Sequence, residues 1–209
     1  LLPHTKSRPP MSRPRIGIVI STNCQVRFGD PVAAWLAGLA AERTDLDFEI
    51  VDLRDYPLPI FDSVMSPRFA PIDTPAATRW ATRMAELDGY VFVTAEYNCS
   101  ISAVLKNALD HIYFEPARKP AAFVGYGAVG AARAVEQLRL VSIELNMVAM
   151  KSGVHINMEP MVGLLREGKS FADYPYLAPT VTVMLDELAW YAKTLKAGRD
   201  TDALQPVAA

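Results

Sequence analysis

The chain has 209 residues, 51% of them apolar, which suits one compact domain with a sizeable core. Charged residues make up 21%, the formal net charge is -2, and acids and bases are interspersed, so nothing resembles a nucleic-acid surface and a small-molecule or protein partner is expected. Cys24 and Cys99 alone make no disulfide framework, and no apolar run approaches the roughly 18 residues that span a bilayer; the expectation is a cytoplasmic domain of enzyme size with no membrane partner.

In chain order, the opening LLPHTKSRPP is rich in proline and bases and lacks the long apolar core of a secretory signal, so residues 1–13 read as a disordered leader or an upstream start. RIGIVI (15–20) is a near-continuous apolar run, as expected of a strand covered on both faces. Gly29, Asp30 and Pro31 then open a helix, with a carboxylate at the cap and proline in the first turn, and Val32, Trp35, Leu36 and Leu39 follow at helical spacing. FEIVDL (48–53) alternates like a second strand, a proline-rich loop runs over about 54–75, and a helix covers roughly 75–87. GYVFVTA (89–95) is a third buried strand and SAVLKNALDHIY (102–113) the next helix. PAAFVGYG (120–127) is the fourth strand, followed by a helix over about 130–146 and a fifth strand within 147–156. An amphipathic helix over 178–198 ends at a glycine and leaves 199–209 as a tail.

Five strands alternating with five helices predict an α/β fold: a doubly wound parallel sheet with right-handed crossovers and helices on both faces, spanning 14–198. Ligands of such sheets sit beyond the carboxyl ends of the strands, where the strand order switches. The loop after the first strand carries Ser21, Thr22, Asn23 and Arg27 just ahead of a helix N-terminus, where free N–H groups and the helix dipole favour an anion such as a phosphate monoester. Small polar residues also cap and turn such loops without binding anything, so the loop alone leaves both readings open. The loop after the first strand carries neither G-x-G-x-x-G nor G-x-x-x-x-G-K-[ST], which leaves a mononucleotide in a flavodoxin-like sheet of order 2-1-3-4-5.

The exit of the third strand, TAEYNCSISAVLKNALDHI, resembles the NAD(P)H-dependent FMN reductase family, whose pattern there is close to PEYN-x-S-x-P-x-x-LKNA-x-D. Glu96, Tyr97, Asn98, Ser100, Leu105, Lys106, Asn107, Ala108 and Asp110 stand at the matching places. The opening loop is similar to the family's GS-T-R-x-x-R-x-G, with Thr22, Arg27 and Gly29 aligned, and VGYGAVGAARAVEQLR (124–139) looks like its third flavin-facing loop; the likeness covers about 14–198. The resemblance implies an enzyme that moves hydride from NADPH or NADH to FMN and on to a flavin, quinone or azo-type acceptor, related to azo, quinone and chromate reductases. It implies a flavin site built from Ser21, Thr22, Cys24, Arg27, Phe28, Glu96, Tyr97, Asn98, Ser100, Tyr126, Gly127, Ala128 and Val129, with no general acid or base because the flavin carries the chemistry. A homodimer or homotetramer completing the pocket, and free flavin for a partner monooxygenase, are further implications.

Ser21 stands where the family has glycine, Cys24 where it has its first arginine and Ala95 where it has proline, while Ala131 and Ala132 fall where glycines are common. A neutral thiol in place of a phosphate-facing cation removes a charge-assisted contact of about 1.5–3 kcal/mol and predicts a dissociable FMN. Lys106, Asn107 and Asp110 are expected to anchor a loop or form a solvated face. His4, His111 and His155 show no metal-ligand spacing. Cys24 and Cys99 follow neighbouring strands as a conceivable redox pair, or as two unrelated small residues lining the pocket. Trp190 and Tyr191 are expected in the core or at a dimer contact. Three readings follow: a reductase; a non-enzymatic flavin-binding or electron-carrier protein, which the modest net charge disfavours; and a fold relative with a degenerate flavin site used for protein interaction.

Overall fold

A computed structural model describes residues 12–201. The expected leader and tail fall largely outside the described residues, as does His4. Five strands, β1 (Arg15–Ile20), β2 (Asp47–Asp52), β3 (Gly89–Ala95), β4 (Pro120–Tyr126) and β5 (Val148–Ile156), form one all-parallel sheet of order β2-β1-β3-β4-β5. The order reverses between β1 and β3, so the loops that follow these two strands emerge side by side at the carboxyl edge.

Alternate residues of the central strands feed two cores, because successive side chains of a strand point to opposite faces. On one face Ile16, Ile18, Val91, Val93 and Val124 pack against α1 (Gly29–Ala40) and the closing helix, through Val32, Leu36, Met184 and Leu188. On the other, Val19, Tyr90, Phe92 and Phe123 pack against α2 (Pro75–Glu86), α3 (Ala103–Asp110) and α4 (Ala132–Glu144), through Trp80, Met84, Leu105, Val135 and Leu138. Burial on both faces is why β3 and β4 read as unbroken apolar runs.

The helices depart from the sequence expectation in four places, each with a local cause. A sixth helix, α5 (Met158–Arg166), follows β5, opened by Asn157, whose side chain accepts from the Glu159 N–H. α1 begins at Gly29 with Phe28 at the cap, so Asp30 is inside the first turn, pairing with Arg27, and is not the cap. α3 stops at Asp110 because His111 and Ile112 make tight i→i+3 bonds and the Trp80 indole donates to the Ala108 carbonyl at 2.7 Å. α6 (Leu177–Thr201) runs through Gly198 because Arg199 beyond it donates to Asp88 and to the Arg118 carbonyl, both at 2.7 Å.

The proline-rich loop is tied to α3. Asn107 accepts from the Phe61 N–H and donates to the Pro59 carbonyl, both at 2.8 Å, and His111 Nε2 lies 3.0 Å from that carbonyl. Lys106 and Asp110 form an i,i+4 ion pair at 2.7 Å on the outer face. Trp190 is 64% exposed and lies outside the core, whereas Tyr191 packs against it.

Candidate functional site

Three loops meet at the carboxyl edge: residues 21–28 after β1, 96–102 after β3 and 127–131 after β4. Ser21 is fully buried, its N–H donating to the Val93 carbonyl at 3.1 Å and its carbonyl accepting from Ser102 Oγ, which binds the first two loops together. The Ser21 hydroxyl has no partner among the described residues. Thr22 Oγ1 lies 3.5 Å from the Tyr126 hydroxyl, and Phe28 meets the Tyr126 ring edge-on at 5.3 Å between centroids. Burial pushes the Tyr126 phenol up to about 12, so it stays protonated at any working pH. Gly29 belongs to this packing: a Cβ there would meet Ile20 Cγ2 at 3.0 Å and the Tyr126 oxygen at 3.1 Å.

Asn23, Cys24, Gln25 and Val26 are exposed. Among the described residues, the backbone N–H groups of Thr22 through Phe28 have no hydrogen-bond partner, and the N-terminus of α1 opens directly behind them. A terminal phosphate suits that donor set without any side-chain cation.

Arg27 is on this loop but turns inward, with its side chain 3% exposed. Its Nε donates to Asp30 Oδ1 at 2.7 Å, its Nη1 to Asp52 Oδ1 at 2.8 Å and to the Thr22 carbonyl, and its Nη2 to Asp52 Oδ2. Burial alone would lower the guanidinium's pKa, but the bonds to Asp52 and Asp30 outweigh it and keep the group charged. The same contest runs at Asp52, where burial opposes ionisation and the Arg27 and Arg54 bonds win, holding the carboxyl below its ordinary range.

In the second loop Tyr97 and Ser100 exchange backbone bonds at 2.9 and 3.0 Å across Asn98 and Cys99, which both have positive φ (50° and 66°). This is a two-residue turn of the primed kind, a conformation asparagine adopts readily. It presents the Tyr97 ring half-exposed, with the hydroxyl 3.8 Å from Cys24 Sγ. Burial and the Cys24 contact both raise the Tyr97 phenol's pKa. Cys24 and Cys99 are both free and exposed. Glu96 is not an open carboxylate: its side chain is 5% exposed and accepts from the Arg133 side chain and from the Arg133 and Ala134 N–H groups, capping α4. The Arg133 bond, ahead of a smaller opposing effect of burial, holds Glu96 below its usual pKa.

In the third loop Gly127 donates to the Ile156 carbonyl at 3.1 Å, while Ala128 and Val129 are exposed. Gly130 has φ +64 and its carbonyl lies 2.8 Å from His155 Nδ1. Ala131 keeps the left-handed conformation (φ 54) at about 1 kcal/mol of strain. Residues 21–28, 96–100 and 126–129 thus lie along one edge, but Arg27 and Glu96 face protein partners there. Asp52, Arg54, Ser102 and Arg133 were missed by sequence reasoning; only the pairing of β2 on β1, with Ile20 opposite Asp52, could have pointed to Asp52. Among the described residues no group of histidine, cysteine and carboxylate side chains could hold a metal, and no helix is long and apolar enough to cross a membrane.

A family profile described as NADPH-dependent FMN reductase matches residues 14–159. An NAD(P)H-dependent FMN reductase of Schizosaccharomyces pombe is 36% identical over 136 residues, covering 64% of this chain and 68% of the relative. A 2-hydroxy-1,4-benzoquinone reductase of a Burkholderia species is 33% identical over 143 residues, 65% of this chain and 74% of that one. Among solved structures, the flavoenzyme NAD(P)H:(acceptor) oxidoreductase FerB of Paracoccus denitrificans superposes with a TM-score of 0.65 at 20% identity, covering 87% of this chain and 98% of the other, a likeness of fold.

Proposed function

The chain belongs to the NADPH-dependent FMN reductase family, and from that premise we propose which of its residues hold the flavin, how it assembles and what it reduces. It is an NAD(P)H-dependent flavin oxidoreductase that uses FMN. When bound, FMN supplies the redox chemistry, taking hydride from the nicotinamide and passing the electrons to a flavin, quinone or azo acceptor.

The backbone N–H groups of residues 22–28 and the hydroxyls of Ser21 and Thr22 hold the phosphate. The observation that carries this is the unpartnered run of N–H groups at the mouth of α1, beside an unpartnered buried serine. Arg27 and Glu96 act through protein partners, Arg27 by fixing the loop to Asp52 and Glu96 by fixing α4. Tyr97, Asn98 and Ser100 border the ring on one side and Gly127, Ala128 and Val129 on the other, with Phe28 and Tyr126 as the packed floor and Cys24 at the rim. No side chain is assigned a proton to move. The half-exposed Tyr97 and Val129 leave room for a flat conjugated acceptor, and a quinone is the class we favour.

Leu140, Ile143, Phe114 and Phe69 are exposed apolar side chains, the first two one turn apart on α4, which supports a homodimer or homotetramer. Two exposed, unpaired cysteines support a reducing compartment such as the cytoplasm. The test is steady-state reduction of a benzoquinone and an azo dye by NADPH with FMN, with and without protein. Turnover must require the protein; rates equal to those of free FMN alone would sink the reading.

A further inference from the structure

Arg54 lies in the 3-10 turn Leu53–Asp55 that continues β2, outside every motif read from the sequence. Its Nη2 donates to the Cys24 carbonyl and, at 3.1 Å, to the Gln25 carbonyl, while Nη1 stands 3.7 Å from Asp30 Oδ2. Arg27 binds the same loop at a third carbonyl, that of Thr22. In a planar trans peptide the N–H points opposite to its C=O. Holding the carbonyls of Thr22, Cys24 and Gln25 therefore turns the N–H groups of Asn23, Gln25 and Val26 away from the two guanidinium groups. None of those three N–H groups has a partner among the described residues. The two cations are matched by two carboxylates, Asp30 and Asp52, so the loop carries no surplus side-chain charge for an anion. What it offers is a set of oriented peptide dipoles at the N-terminus of a 12-residue helix.

We propose that Arg54 is a positioning residue for the flavin phosphate: it grips the carbonyl side of the loop and thereby keeps the N–H groups of Gln25 and Val26 turned toward the phosphate. Arg54 makes no contact with the phosphate itself. The inference rests on the reading of residues 22–28 as the phosphate loop.

Fluorescence titration of the apoprotein with FMN and with riboflavin, which lacks the phosphate, separates the two ideas. The unmodified protein is expected to prefer FMN; equal affinities would overturn the phosphate-loop reading and the inference with it. Arg54→Met is expected to lower FMN affinity by about tenfold or more while leaving riboflavin affinity unchanged. An undiminished preference for FMN in that variant would overturn the inference and leave the loop reading standing. Salt distinguishes positioning from direct charge contact: the loss should be the same at about 0.05 M and about 0.5 M salt, because oriented dipoles persist when exposed charges are screened. A loss that disappears in high salt would mean that Arg54 faces the phosphate, contrary to the inference. Arg54→Lys, which can hold one carbonyl but lacks the fork, should fall between the two proteins in its FMN-to-riboflavin ratio. It carries the test alone if the methionine variant does not fold, and a ratio equal to that of the unmodified protein would then overturn the inference.

Discussion

Arg27 Nη1 donates to Asp52 Oδ1 at 2.8 Å, fastening the loop after β1 to the end of the neighbouring edge strand. Ile20 and Asp52 are register partners in the sheet, so the bond spans adjacent strands at the point where both leave it. The arginine expected to face a phosphate instead sets the shape of the loop whose N–H groups we propose hold it.

Asp52→Asn should therefore destabilise the apoprotein by about 2 kcal/mol, less than the ~3–5 kcal/mol of a fully isolated buried ion because Asp30 still faces the guanidinium. The folded-state pKa of Asp52 lies below its unfolded value, so its contribution is complete above roughly pH 4 and is lost as pH falls through the lower folded value. Chemical denaturation of both proteins across pH should show the gap closing in acid. A gap that stays constant to low pH would place the effect elsewhere.

Gly130→Ala should cost about 2–4 kcal/mol. The added Cβ would sit 2.8 Å from His155 Cβ in a backbone with φ +64, and the bond from His155 to the Gly130 carbonyl prevents the loop from moving away. The denaturation midpoint should fall and FMN affinity with it. Unchanged stability would mean that the loop shifts freely.

The proposed site has one exposed edge for the nicotinamide and the acceptor in turn, so initial rates with NADPH and a quinone varied together should give parallel double-reciprocal lines. Intersecting lines would indicate that both substrates bind at once.

The exposed α4 residues give an assembly test. Light scattering at micromolar concentration should return a dimer or larger, and Leu140→Glu with Ile143→Glu should lower the mass to that of one chain. A monomeric unmodified protein would rule out this assembly.

The five strands were legible because the central ones are buried on both faces and read as largely apolar runs. The meeting of the loops after β1, β3 and β4 was equally legible, since strand order alone puts them together. Helix α5 was not: MEPMVGLLR is only nine residues long and carries a proline and a glycine, so the packing of Met161 and Leu164 against the core was hard to read, and Asn157 as a cap was its clearest signal. The direction of Arg27 was also hidden, because Asp52 stands 25 residues away and becomes its partner only through strand pairing. Glu96 sits in a recognisable motif, yet its role as a cap depends on Arg133, 37 residues on. Ends of helices failed where tertiary contacts decided them, as when Arg199 carried α6 past Gly198.

The most direct test of the central claim is an anaerobic titration of the FMN-loaded protein with NADPH, followed by one addition of a benzoquinone. The yellow flavin colour should bleach at one equivalent of NADPH per bound FMN and return when the quinone is added. A protein that binds no FMN, or one whose bound flavin stays yellow under excess NADPH and excess NADH, would contradict the assignment of this chain as an NAD(P)H-dependent FMN reductase.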